Sequence, residues 1–123
     1  MGEVFIDTSS ILFGFSNKRD VFESVRGMFP SATTVISKGV IRELRGLSGN
    51  KGRKGSNARA ALIAVKAKKV KVDNNTGNVD RWILSAAAST PDSVVITNDT
   101  DLGRALKRKG TVVFKISRDG SLR

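Results

Sequence analysis

The 123-residue sequence contains no cysteine and no histidine. Without cysteine there is no disulfide framework and no thiol nucleophile, and without either residue no zinc site of the Cys/His type can form. Mechanisms that need imidazole as the base are excluded as well. No apolar run approaches the roughly 18 residues of a membrane span. The amino terminus, MGEVFIDTSS, carries an acid where a secretory signal would be basic, so a soluble cytoplasmic protein is expected. Aromatic residues are scarce, six Phe and one Trp. Most of them are needed for the core, which leaves base stacking by Trp82, Phe13 or Phe15 the lesser use. With 39% hydrophobic and 27% charged residues, a single domain over 1–123 is expected. A chain of this size buries roughly two-thirds of its unfolded surface.

Acidic residues are the minority charge, 11 against 22 Lys and Arg, for a net charge of +11. The excess is concentrated. Between Lys38 and Lys71 there are eleven basic residues and one acid, Glu43, whereas the rest of the chain holds eleven basic and ten acidic residues. A middle third that carries +10 points to a polyanionic partner, nucleic acid before an anionic membrane. The candidate contacts are Arg42, Arg45, Lys51, Arg53, Lys54 and Arg59.

Short β-rich apolar runs alternate with longer helical segments, the pattern of an α/β three-layer sandwich with a five-stranded parallel sheet between helices. The runs are 4–6, 33–36, 70–72, 93–96 and 111–116. Helices are expected over 9–15, over 19–28 with Val21, Phe22, Val25 and Met28 on one face, and after a Ser37 cap. SGNKGRKGSN, 48–57, has three glycines and no apolar residue and reads as a mobile basic loop, followed by an alanine-rich helix over 58–67. Asn78 caps the next helix, with Val79, Ile83, Leu84 and Ala87 as its apolar stripe, and Thr97 or Asn98 begins the last.

In a parallel sheet the ligand site lies outside the carboxyl ends of the strands. Asp7 directly follows the first strand, and Asn98, Asp99 and Asp101 follow the fourth. Glu43 and Asp80 can reach that edge from helices. Asp80, Asp99 and Asp101 also suit first helical turns, where an acid gains about 0.3–1 kcal/mol from the dipole. Asp7 has no such role in packing. Carboxylates gathered on one edge resist ionising together. A hard divalent cation, Mg²⁺ or Mn²⁺, resolves that conflict with oxygen ligands alone, activates water and clamps the oxygens of a phosphodiester.

The segments VFIDTSSIL, GVIRELRGL, NVDRWILSAA and VVITNDTDLGRAL resemble, in order, spacing and context, the motifs of the PIN-domain nucleases. The resemblance spans essentially the whole chain. It implies a metal-dependent endoribonuclease with Asp7, Glu43, Asp80 and Asp99 as the catalytic acids. Asp7, Asp80 and Asp99, with Asp101 as a further acid, would be the ligands of Mg²⁺ or Mn²⁺. Thr8, Ser9 and Asn98 match supporting polar positions; Thr8 and Ser9 are equally caps of the first helix, and Asn98 is expected to orient Asp99 or the metal's water. RNA is the implied substrate, with an antitoxin or a ribosome-assembly protein, and a second copy of the chain, as partners, and no membrane. The basic segment 51–55 and the high charge depart from many members. Together with TNDTDLGRALKRKG they look more like the ribosome-maturation type.

Two other classes compete. A non-catalytic RNA-binding or ribosome-assembly factor would share the fold and the basic segment but not the metal response. A receiver-like phosphate acceptor needs an acid pair that the first strand does not supply, although Asp73 follows the third.

Overall fold

The structure is a computed structural model and describes residues 2–123. Five strands, β1 (Glu3–Ile6), β2 (Thr33–Ser37), β3 (Lys71–Asp73), β4 (Val94–Ile96) and β5 (Val112–Phe114), form one parallel sheet in the order β3-β2-β1-β4-β5. β1 is central, and Phe5 is in register with Val35 on one side and Val95 on the other. The strand order reverses between β1 and β4. That reversal opens the crevice where a doubly wound sheet places its ligand.

Six helices connect the strands: α1 (Thr8–Ser16), α2 (Val21–Met28), α3 (Lys38–Ser48), α4 (Gly52–Ala67), α5 (Val79–Ser89) and α6 (Thr100–Arg108). The helices pack as two groups, α1 to α4 and α5 with α6. With right-handed crossovers these groups cover opposite faces of the sheet, giving the three layers. None of the helices is long and apolar enough to cross a membrane, among the described residues. The core runs through Ile6, Ile36 and Ile96 on the strands to Ile11, Val40, Leu44, Ile83 and Leu106 on the helices. Trp82 meets Phe5 edge to face at 5.6 Å and is buried in this core, so it does not stack on a ligand. Phe13 and Phe15 also pack against the core.

Five helices begin at a side-chain cap: Asp7, Asp20, Ser37, Asn78 and Asp99 each accept from a backbone N–H of the first turn. Each cap satisfies a donor that the helix itself leaves free. The cap of α6 is thus Asp99, not Thr97 or Asn98, and the cap of α1 is Asp7, not Thr8 or Ser9. Met28, expected on the buried face of α2, is 47% exposed because the helix ends there.

The expected loop over 48–57 is mostly helix, because α4 already starts at Gly52. The glycine that suggests a loop serves close packing instead. A Cβ on Gly55 would lie 1.8 Å from the carbonyl oxygen of Asn50. Only glycine admits that approach of the α3–α4 turn to the helix. Arg59 locks the same turn by donating to the carbonyl of Ser48 at 2.6 Å.

Candidate functional site

At the carboxyl ends of β1 and β4 a cavity of about 620 Å³ is lined by Asp7, Thr8, Ser9, Leu12, Glu43, Gly46, Leu47, Asn78, Val79, Asp80 and Asp99. Four acids from four elements therefore face one space. Asp7 caps α1 and is 4% exposed. Its Oδ1 accepts from Ser10 N–H at 2.9 Å, and its Oδ2 accepts from the Thr97 hydroxyl at 2.6 Å. Thr97 is fully buried and also accepts from Asp99 N–H at 3.1 Å. One hydroxyl thus ties the acid after β1 to the acid after β4. Asp99 Oδ1 accepts from Leu102 N–H at 3.0 Å. Glu43 projects from α3 and accepts a hydrogen bond from Thr8 of α1.

Asp80 is held by the loop before it. Asp73 accepts from Asn75 N–H at 2.8 Å, Asn75 from Gly77 N–H at 2.9 Å, and Asn78 from Arg81 N–H at 3.0 Å. Each side chain mimics a backbone turn, so the polar run DNNTGN folds on itself. Gly39 docks this loop on α3, its N–H donating to Asn75 O at 3.1 Å. A Cβ there would meet Gly77 O at 2.8 Å.

No lysine or arginine lines the cavity, and the single salt bridge among the described residues, Lys68–Glu23, lies elsewhere. The Asp80 carboxyl is held above its ordinary value, first by desolvation against the cavity walls and then by the negative charges of Asp99, Asp7 and Glu43. Carboxylates left without a protein cation are hard oxygen donors suited to a divalent ion. Among the described residues no three or more His, Cys, Asp or Glu are drawn together tightly enough to hold an ion by themselves. The donor set fits an ion that keeps several waters, as Mg²⁺ does.

Asp101 does not line the cavity. Two residues past the cap, it is exposed in the first turn of α6, rotated roughly 200° from the face that Asp99 begins. Asn98 is likewise not turned to the acids. Its Nδ2 donates to Ile116 O at 3.0 Å and its Oδ1 accepts from Ile116 N–H at 2.9 Å. This pair prolongs the β4–β5 ladder by one step.

α3 separates the acids from a second cavity. Glu43, Gly46 and Leu47 face the acid side, whereas Arg42 and Arg45, with Lys38, Lys66, Ile41, Leu62, Ile63 and Val72, line a groove of about 770 Å³ on the other. Lys51, Arg53 and Lys54 are exposed at the start of α4. Arg59 is taken up in part by the α3–α4 turn. Ser10 is a site residue that the sequence did not single out, and Thr97 and Asn78, expected only as helix caps, belong to the site as well. A threonine ending a buried strand before Asn-Asp, and a serine three positions after a capping aspartate, were the available signals.

Residues 4–118 match the family described as PIN like domain. No curated protein sequence matches the chain. Among solved structures, the PIN domain endonuclease Utp24 superposes with a TM-score of 0.79 at 24% identity, over 98% of this chain and 89% of that one. A domain of a functionally unknown protein from Methanocaldococcus jannaschii gives 0.67 at 19% identity, over 95% and 92%. VapBC2 from Rickettsia felis, bound to a DNA fragment from its promoter, gives 0.64 at 16% identity, over 94% and 99%. At these identities the likeness is one of fold.

Proposed function

Because the chain belongs to the PIN-like domain family, and the matched region includes all four cavity acids, we propose that it is a divalent-metal-dependent endoribonuclease. The observation that carries the proposal is the cavity itself: Asp7, Glu43, Asp80 and Asp99 face one space that no cation of the protein neutralises. Asp7, Asp80 and Asp99 would hold Mg²⁺ or Mn²⁺. When bound, such an ion lowers the pKa of water and stabilises charge on phosphodiester oxygens.

The chain's own residues orient and position. Ser10 and Thr97 fix both oxygens of Asp7, so that carboxylate enters the cavity in one orientation. Thr8 holds one oxygen of Glu43 and leaves the other free to orient water or accept a proton. Arg42, Arg45, Lys51, Arg53 and Lys54 supply the positive field that offsets the acids toward a polyanion and raises its encounter rate. Phosphate contacts of this kind position RNA without reading its sequence. The basic 51–55 segment and the TNDTDLGRALKRKG ending support a reading as an RNA-maturation enzyme over one as a toxin.

The test is cleavage of an unstructured RNA, a hairpin and single-stranded DNA with Mg²⁺ or Mn²⁺. Wild type should cut RNA, and Asp7→Asn, prepared in parallel to expose contaminating ribonuclease, should not. Equal cleavage by wild type, Asp7→Asn and Asp99→Asn would end the proposal. A second reading, a non-catalytic RNA-binding or ribosome-assembly factor, draws on the open spacing of the acids. RNA binding without cleavage under any divalent ion selects it.

A further inference from the structure

On the other flank of the acid cavity, a small hollow of about 180 Å³ is lined by Thr100, Gly103, Arg104, Lys107, Val113, Lys115 and Arg123. It lies between α6 and β5. We infer that this hollow is a second phosphate-binding site, which holds the backbone of the same RNA strand that enters the acid cavity. The inference rests on the RNA-cleaving function proposed above.

Four cations from a helix, the segment after β5 and the last residue converge there, and no acid lines the hollow. None of the four forms a salt bridge among the described residues. Arg123 Nε donates to Ser121 Oγ at 3.4 Å, which leaves the other guanidinium donors free. Residues 104–123 hold seven basic residues and one acid, Asp119. That acid is exposed and accepts from the Ser117 hydroxyl at 2.7 Å and from Ser121 N–H at 3.0 Å; its charge reaches Arg123 without a salt bridge, and it does not line the hollow. Gathered around one hollow with no acid in its lining, the four cations offer several charged donors to a single anion.

The location names the anion. Thr100 lines this hollow, and Asp99, its neighbour in the chain, lines the acid cavity. On the opposite side, α3 carries Arg42 and Arg45 on the face turned away from Glu43. The acids are therefore bracketed by two basic flanks. A polyanion that crosses from one to the other lays a phosphodiester over the carboxylates. A compact anion would occupy one flank only.

The experiment separates binding from cleavage. Asp99→Asn serves as the background in EDTA, and affinity for fluorescein-labelled oligouridine is measured between about 50 and 200 mM KCl, where phosphate contacts dominate the salt dependence. Adding R104Q, K107Q, K115Q and R123Q should flatten the slope of log affinity against log salt by about 2–3, since each single-strand phosphate contact contributes roughly 0.7. A parallel variant with R42Q, R45Q, R53Q and K54Q reports the other flank. All eight side chains are exposed, and a melting curve checks each fold. If the slope is unchanged by the first set and flattened by the second, the hollow is not a phosphate site, while RNA binding by the middle third stands. Polyglutamate of equal charge competing as well as RNA also overturns the inference. If the background protein shows no salt-dependent binding of oligouridine, RNA as the substrate fails and the hollow's role fails with it.

Discussion

Thr97 is the residue on which the site depends most without contributing a charge. It donates to Asp7 and accepts from Asp99, at full burial. Thr97→Val keeps the shape but leaves a nearly buried carboxylate oxygen short of its donor, which should cost about 1–3 kcal/mol in a urea titration. Cleavage should fall along with it, because Asp7 is no longer held in one orientation. Asp80 carries the opposite expectation. Its folded pKa lies above the unfolded value, so the folded state holds the extra proton and stability declines as pH rises through the interval between the two values. Metal-free Asp80→Asn should therefore be more stable than wild type at neutral pH and lack that decline. The gain should stay below about 1 kcal/mol, since the group is largely in water and screened. Equal melting curves of the two proteins from acid to neutral pH would show that the acids do not strain the fold.

At the level of elements, the strands and two of the five side-chain caps, Ser37 and Asn78, were legible because their signals are local. Asp7 and Asp99 were legible as acids where buried strands stop, but not as the caps of α1 and α6. The start of α4 was not legible. Its glycine-rich, uncapped sequence has the local preference of a loop, and what makes it helical is a backbone approach at Gly55 that no window of sequence contains. Asn98 was misjudged for the same reason, since its partner Ile116 lies 18 residues away. Gly39 tests how far an element can act on the site at a distance. Gly39→Ala pushes a methyl against the loop that carries Asn78 and Asp80, within 2.8 Å of Gly77 O. Such overpacking costs roughly 1–3 kcal/mol. Cleavage at a temperature where the variant remains folded should drop, whereas Gly46→Ala, inside α3 with no atom within 4 Å of the new methyl, should raise the melting temperature.

Across the whole molecule, charge is sorted into three zones, two basic flanks and an acidic centre. Counting along the chain revealed only the first flank, because the ten acids outside 38–71 cancel the C-terminal cations in a tally although they do not cover them in space. The acidic centre makes a global prediction. Mn²⁺ at about 100 times its dissociation constant should stabilise the fold by about 2.7 kcal/mol, read as a rise in melting temperature, and Asp99→Asn should abolish the rise. The hydrogen bond between Thr97 and Asp7 joins residues 90 positions apart. Loop closure over such a separation is slow, and helices form long before distant parallel strands pair. In a refolding chain, helical signal should therefore return well ahead of catalytic competence. The delay between the two would time the docking of β4 beside β1.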